Sequence, residues 1–344
     1  IEVVGTFSAA AGSSLQLTFV VDLRRDSTFE KQVESSIVVL VSDSTLTLEL
    51  TANKQSKDSI AKPSDVIAYV LTYKNKSDAE LRDIAVSVSI SGGGFESNSF
   101  ADDDGATFKD GKATWSAKLI PQLASVKPKA SGTIRFSIKA AASPTATKGA
   151  GGPTISVQAA ATTGADPLTK LEPLVTKLTT TATLVIDPRY YRDDGTQVGA
   201  GPLPPQVGST TTYRIYWRIT NTTNELTGLT VSAKIPASVF WTGKNVSATA
   251  GTVAFDAATR IVTWTLNKLP AGVGIGSTPV SAAFDLSITP EAAQAGTSPV
   301  LVEAQTLKAK DSFTGTSIEV KKDQSTTDLP NDSRATGKGA VVTP

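Results

Sequence analysis

The chain has no cysteine, no histidine and no methionine among its 344 residues. It therefore lacks a thiolate nucleophile, an imidazole general base and the ligands that zinc prefers. Without disulfides, its stability must come from packing alone. Carboxylate-pair hydrolysis, Ser–Lys catalysis and calcium binding by oxygen ligands remain compatible with the composition. Because the acidic residues cluster in turns rather than in pairs, the chain is not expected to be an enzyme.

The chain also has little net charge and no long hydrophobic run. It carries 33 basic and 32 acidic residues, a formal charge of +1. A nucleic-acid partner would favour clustered Lys and Arg, so none is expected. No stretch approaches the roughly 18–20 apolar residues of a membrane span. Hydrophobic residues nevertheless make up 40% of the chain, which is enough to build packed cores.

Strand signals dominate the sequence. Short segments rich in Val, Ile, Thr and aromatic residues, such as 66–73, 84–90 and 213–219, alternate between apolar and polar positions. Clusters of Gly, Pro, Asn and Asp separate them, as in 193–201. No segment shows a helical period over ten residues. These patterns predict an all-β protein of several domains.

The two halves of the chain repeat one another. Aromatic residues recur in the same order, and the offset between equivalents stays between 144 and 149 residues: Tyr69 and Tyr213, Phe95 and Phe240, Trp115 and Trp264, Phe136 and Phe284. A small drift is expected where loops gain residues between strands. We therefore predict two β-sandwich repeats, at 46–185 and 186–325, with Trp115 and Trp264 in their cores.

Residues 1–45 are predicted to be the end of another, incomplete repeat. The run from Gly12 to Phe19 resembles the run ending at Phe136 and the run ending at Phe284, and in each case another β-rich run follows. Two alternatives remain open: residues upstream complete this domain, or a neighbouring subunit supplies the missing strands. Residues 326–344 are predicted to be a polar tail or a strand exchanged with a neighbouring subunit through 340–343.

The order of these motifs resembles a conserved repeat of bacterial and archaeal surface proteins, catalogued as domain of unknown function eleven. Residues 92–94 replace the Pro that the pattern has before Phe95, so the second repeat fits better. The matching positions are Pro63, Asp65, Tyr69, Asn75, Leu81, Val86, Trp115, Gly132 and Phe136, and then Pro205, Gly208, Tyr213, Asn221, Leu226, Val231, Pro236, Phe240, Trp264 and Phe284. The resemblance implies tandem immunoglobulin-like β-sandwiches in an extracellular, cell-surface protein. It implies no catalytic residues.

Two groups of residues are candidates for binding. Asp102 with Asp104, and Asp193 with Asp194, are candidate calcium ligands, although Asp followed by Gly is first of all a turn signal. The second pair is expected near the junction between the repeats, where a metal ion would stiffen it. Candidate contact residues, exposed at loops, are Tyr190, Tyr191 and Trp241.

Four Asn residues lie in Asn-x-Ser/Thr sequences and are candidate glycosylation sites: Asn75, Asn221, Asn245 and Asn331. Chance matches are expected in a chain this rich in Ser and Thr. Asn75 and Asn221 occupy the same position in the two repeats, and Asn in a turn also has a structural reason.

The sequence favours a structural role, as a subunit or segment of a surface layer or extracellular filament that self-associates through β-domain contacts. An adhesin stalk that presents a binding domain outside this chain is the first alternative. A carbohydrate-binding module is the second, and it requires an exposed row of aromatic residues. Such a row is not evident in a chain with 6% aromatic residues.

Overall fold

The computed structural model describes residues 14–40, 45–164 and 166–343. It begins with a two-stranded hairpin, β1 (Ser14–Arg25) and β2 (Thr28–Leu40). A two-residue turn joins the strands, and Asp26 at that turn adopts a positive φ of 54°. The register shifts between Val21 and Asp22, where a bulge interrupts the ladder. This hairpin pairs with no other strand among the described residues.

The first sandwich has two facing sheets. Its strands are β3 (Leu46–Ala52), β4 (Ser59–Ala61), β5 (Val66–Asn75), β6 (Leu81–Arg82), β7 (Ile84–Ser91), β8 (Ala101–Asp102), β9 (Lys112–Trp115), β10 (Ser125–Val126), β11 (Ser131–Lys139), β12 (Thr154–Thr163), β13 (Asp166–Lys170) and β14 (Leu174–Leu178). One sheet has the order β3-β5-β11-β8 and the other β4-β14-β12-β7-β9, with β13 beside β12. Only the β4–β14 pair is parallel among these main ladders. This is the strand order of an immunoglobulin-like sandwich, so the fold predicted from the sequence is confirmed.

The second sandwich repeats the arrangement. Its strands are β15 (Ala182–Arg189), β16 (Thr211–Asn221), β17 (Leu226–Lys234), β18 (Val239–Trp241), β19 (Ser247–Ala248), β20 (Thr252–Asp256), β21 (Ile261–Leu269), β22 (Val280–Ile288), β23 (Val300–Val302), β24 (Gln305–Asp311), β25 (Ser317–Lys322) and β26 (Ser325–Thr326). Its sheets have the orders β15-β16-β22-β18 and β20-β21-β17-β24-β25, and β19 pairs with β22. Single 3-10 turns lie at Pro121–Ala124 and Ala292–Gln294.

Each sandwich has its own hydrophobic core, built from alternate residues of facing strands. In β16, Tyr213, Ile215, Trp217 and Ile219 all point inward and are fully buried. The repeated tryptophans Trp115 and Trp264 are also fully buried, as predicted. Such packing follows from the period of two, because every second side chain of a strand faces the other sheet.

The repeated tyrosines Tyr69 and Tyr213 bury their rings, yet neither hydroxyl has a hydrogen-bond partner in the described structure. Tyr69 stacks on Phe136 with ring centroids 4.9 Å apart. Burial raises the pKa of Tyr69 to about 12, although the neighbouring Thr176 hydroxyl partly offsets the effect. Burial also raises the pKa of Tyr213, and the nearby Tyr190 adds to the increase.

We therefore expect the folded chain to lose stability in alkali. An unfolded Tyr titrates near pH 10, so the contribution of neutral Tyr69 is complete below that pH and declines as pH rises towards about 12. Tyr69→Phe should reduce the loss in the first sandwich, where burial and then the charge of Asp104 also raise the pKa of Tyr73. By deleting an unsatisfied hydroxyl it should stabilise this sandwich by about 1 kcal/mol. Urea unfolding between pH 8 and 12 measures both effects. An unchanged pH dependence in Tyr69→Phe would contradict the assignment.

The C-terminal residues 326–343 pack against the second sandwich of their own chain and so do not form a free polar tail. Exchange of residues 340–343 with a neighbouring subunit stays a prediction. Leu329, Ala335 and Val341 are buried, and parallel bridges join Val341 to Ala295 and Val342 to Gln206. The apolar residues of this segment are widely spaced and do not alternate, so the sequence pattern gave no sign that they reach a core.

Candidate functional site

The chain passes from one sandwich to the other through a short joint at residues 179–181, of which Thr181 is exposed. Thr179 and Thr180 are only 4% and 3% exposed. The N–H of Thr179 donates to Ala61 O of the first sandwich at 2.9 Å. The hydroxyl of Thr180 donates to Asn221 Oδ1 of the second at 2.7 Å. A buried linker whose polar groups are paired on both sides fixes the two sandwiches to one another.

Asp311 is the centre of this joint, and its side chain is fully buried. Its Oδ2 accepts from the Thr180 N–H at 2.8 Å and from Asn224 Nδ2 at 2.9 Å. Its Oδ1 accepts from the main-chain N–H groups of Phe313 and Thr314, at 2.9 and 3.0 Å. One carboxylate thus accepts hydrogen bonds from the linker, from the β16–β17 turn and from the β24–β25 turn. Four donors therefore satisfy the hydrogen-bonding capacity of a carboxylate that is closed off from water.

Asn224 ties the joint back to the first sandwich. Its Nδ2 donates to Leu178 O, the last carbonyl of β14, at 2.9 Å as well as to Asp311. Phe313, in the β24–β25 turn, lies against Gly152 of the first sandwich: a Cβ on that glycine would lie 2.5 Å from the Phe313 ring. The Lys177 ammonium lies 5.1 Å from the centroid of the same ring. The two sandwiches therefore share polar and apolar contacts.

Asn221 and Asn75 hold equivalent turns in the two sandwiches, and both are fully buried. The Nδ2 of Asn221 donates to Asn224 O and Pro270 O, and that of Asn75 to Ala79 O and Val126 O. An attached sugar would displace these bonds from a closed site. The folded structure is therefore inconsistent with glycosylation at these two positions.

The other two Asn-x-Ser/Thr sequences, at Asn245 and Asn331, have different surroundings. Asn245 is exposed, and its Nδ2 donates to Asp285 Oδ2 at 2.6 Å. Asn331 is exposed beside the buried Asp332. Glycosylation at either residue stays a prediction.

The pair Asp193 and Asp194 does not lie at the joint. It follows the far end of β15, which runs for eight residues from Ala182 next to the linker, about 26 Å at 3.3 Å per residue. Asp193 accepts from Arg189 Nη1 at 2.7 Å, and Asp194 accepts from the Thr196 N–H at 2.8 Å. The expected position of this pair was wrong because the linker enters β15 at its opposite end.

Asp102 and Asp104 lie in a turn that closes on Trp115. The Oδ2 of Asp102 accepts from the main-chain N–H groups of Asp104 and Ala106 and from Trp115 Nε1, at 2.8–3.2 Å. Partial burial raises the pKa of Asp104, and the negative charges of Asp102 and Asp103 raise it further. Among residues 14–40, 45–164 and 166–343, no group of three acidic side chains is placed to hold a metal ion.

Calcium should therefore leave the stability of the chain unchanged. Calcium takes six to eight oxygen ligands, whereas the main chain, Trp115 and Arg189 already occupy oxygens of Asp102 and Asp193. We expect the melting temperatures in about 10 mM calcium, roughly ten-fold or more above the Kd of extracellular calcium sites, and in chelator to agree within about 1 °C. Thermal unfolding followed by fluorescence measures the difference. A calcium-dependent shift that Asp104→Asn removes would establish a site.

The three aromatic residues expected at an interface differ in exposure. Tyr190 is 3% exposed and packs on Tyr213, so it belongs to the core and that expectation is corrected. Its backbone N–H and that of Tyr191 both donate to the buried Asp332 carboxylate, which holds the C-terminal segment in place. Tyr191 is half-buried beneath Arg334, with the guanidinium 5.9 Å from the ring centroid. Trp241 is half-buried and stacks on Phe255.

The residues of the joint were not identified from the sequence. Asp311 lies in a run that reads as an ordinary turn, and it is 131 residues from Thr180. One available signal was the position of Asn75 and Asn221. Both follow the repeated Tyr-containing strand at the same place, which indicates a structural role in both repeats.

Comparisons with known proteins add little to this geometry. No protein-family model and no curated protein matches the chain. A similar solved structure is the C-terminal domain of the Streptococcus pyogenes antigen I/II-family protein AspA, with a TM-score of 0.34 and 12% sequence identity. The match covers 81% of this chain and 99% of that one. At this similarity it carries no functional argument, and the immunoglobulin-like assignment depends on the strand order.

In the described part of the chain, no helix has the length and hydrophobicity needed to span a membrane.

Proposed function

We propose that the chain is a structural segment of a prokaryotic cell-surface assembly, either a surface layer or an extracellular filament. The observation that supports this role best is the buried joint around Asp311, which fixes two complete sandwiches in one orientation. An assembly that repeats over long distances needs segments of constant shape. A flexible linker between the sandwiches would allow each segment a different shape.

The composition and the motif order support the same role. A chain without Cys and His has few routes to catalysis, and the order of its repeated motifs resembles that of extracellular surface proteins. In an extracellular setting, packing and buried hydrogen bonds replace disulfides as the source of stability. Neighbouring copies associate through exposed strand edges and loops, without a covalent link.

Negative-stain electron microscopy of the purified chain tests this proposal, in calcium and in chelator. Ordered sheets or fibres support it. Single rods of uniform length in both conditions, at all concentrations tried, contradict self-assembly and favour an adhesin stalk. Binding to a glycan array with unassembled protein favours a carbohydrate-binding module instead.

A further inference from the structure

The hairpin β1–β2 carries an apolar face that no described residue covers. Cross-strand pairs place Leu15 with Val39, Leu17 with Ile37 and Val21 with Val33 on this face. Val21, Val33 and Ile37 are 51–58% exposed. The opposite face is more polar and includes Thr18, whose hydroxyl bonds Ser36. A two-stranded hairpin alone is at best marginally stable in water, so this face requires a partner.

The same chain contains two hairpins in the corresponding place, and both are covered. In the second sandwich, β24 and β25 pair Leu307 with Val320 and Ala309 with Ile318, and this face packs into the core. In the first sandwich, β12 pairs first with β13 and then with β14, and Ile155 and Val157, which lie opposite β14, are fully buried. In both cases the cover is the facing sheet of the same sandwich.

The chain also enters the first sandwich as it enters the second. Three residues separate β14 from β15, and the carbonyl of Thr181 accepts from the Thr222 N–H at 3.0 Å. Five residues separate β2 from β3, and the carbonyl of Thr45 accepts from the Lys76 N–H at 2.8 Å. The main chain at Thr45 thus enters the first sandwich through the same kind of hydrogen bond by which Thr181 enters the second.

A second copy of this hairpin is too small a partner. The apolar part spans seven residues of β1, from Leu15 to Val21, about 23 Å long and about 10 Å wide across two strands. Two such faces together bury about 500 Å², well below the roughly 1,200 Å² of a specific interface. The two described sandwiches already have their own closing hairpins, so they offer this one no place in a core.

We propose that β1–β2 is the closing hairpin of a further immunoglobulin-like sandwich, whose other strands lie N-terminal to it in the same polypeptide. The inward apolar face of that sandwich covers Leu15, Leu17, Val21, Val33 and Ile37. This assignment refines the sequence comparison, which equated the run ending at Phe19 with β11. Strand β11 belongs to the other sheet from β12 and forms no hairpin with it, whereas β1 pairs with β2 along its full length. The inference does not depend on self-assembly.

Hydrogen exchange on the natural polypeptide tests the inference, with the purified 344-residue chain for comparison. We expect the amides of β1 and β2 to exchange at least about 100-fold more slowly in the natural polypeptide. Val21→Lys should abolish this protection, whereas Val20→Lys should leave it. The two residues are adjacent and similarly exposed (51% and 47%), but Val20 faces the other way, opposite Glu34. Fast exchange in the natural polypeptide would overturn the inference.

Sedimentation of the 344-residue chain separates this inference from a hairpin-mediated dimer. We expect Val21→Lys and Val20→Lys to leave the sedimentation of the chain at about 10 μM unchanged, since the face is too small to hold two copies. A dimer that Val21→Lys dissociates and Val20→Lys does not would overturn the inference, because a second copy would then cover the face. Neither outcome bears on the sheets or fibres sought by electron microscopy, which can form through other edges.

Discussion

Replacing Asp311 by alanine should lower the free energy of unfolding of the second sandwich by about 3–5 kcal/mol and loosen the joint between the sandwiches. The carboxylate is fully buried and accepts four hydrogen bonds. Alanine leaves all four donors without this partner, and the donors of Thr180 and Asn224 are buried. The cost is mostly the desolvation of donors that stay buried, and not the loss of attraction alone.

Two measurements check this expectation. Urea unfolding followed by tryptophan fluorescence reports mainly on the second sandwich, which contains Trp217, Trp241 and Trp264 against Trp115 in the first. Small-angle scattering reports on the joint, and we expect a wider distribution of overall dimensions for the variant. Asp256→Ala is the matched control, since Asp256 also accepts from turn N–H groups but is exposed. Equal effects of the two substitutions would contradict the central role of Asp311.

Asp311→Asn refines the test, because it keeps the shape of the side chain and removes its charge. An amide has one oxygen to accept, and its NH₂ group would face two of the existing N–H donors. We expect this variant to lose nearly as much stability as Asp311→Ala, although it creates no cavity. A neutral effect would mean that packing, rather than hydrogen bonding, holds the joint.

Much of the fold was predictable because it depends on local patterns. Alternation in segments such as 213–219 predicts strands, and the recurrence of aromatic residues at offsets of 144–149, as in Trp115 and Trp264, predicts repeated cores. The joint was not predictable, because Asp311 and Thr180 meet only after both sandwiches have folded. The Asp193–Asp194 pair shows the complementary error: sequence proximity to the repeat boundary placed it at the joint, but β15 carries it to the other end of the sandwich.

The difference between local sequence patterns and tertiary contacts also explains why the predictions at the other sites were wrong. Asn75 and Asn221 match a modification motif of three residues, and the motif contains no information about burial. Tyr190 stands in a Gly- and Asp-rich region that resembles a loop, yet Asp332, 142 residues away, holds its backbone against the core. Short motifs describe the chemistry of a side chain, whereas the tertiary structure decides whether that chemistry is available.

Asn75→Ala and Asn221→Ala should each destabilise their own sandwich, by about 2–4 kcal/mol. In each case the lost amide leaves two main-chain carbonyls without their donor: Ala79 O and Val126 O for Asn75, Asn224 O and Pro270 O for Asn221. Each substitution also removes an acceptor, because Asn75 Oδ1 accepts from the N–H and hydroxyl of Ser77, and Asn221 Oδ1 accepts from Thr180 in the joint.

Hydrogen exchange resolves the two sandwiches separately and is the measurement of choice. We expect Asn75→Ala to speed exchange in β5, β7 and β12 while the second sandwich keeps its protection, and Asn221→Ala to do the reverse. Asn331→Ala is the matched control: the residue lies in the same three-residue motif but is exposed, so its effect should stay within about 0.5 kcal/mol. If all three variants proved equally stable, the two buried asparagines would not be structural, and glycosylation would again be the better explanation for their repetition.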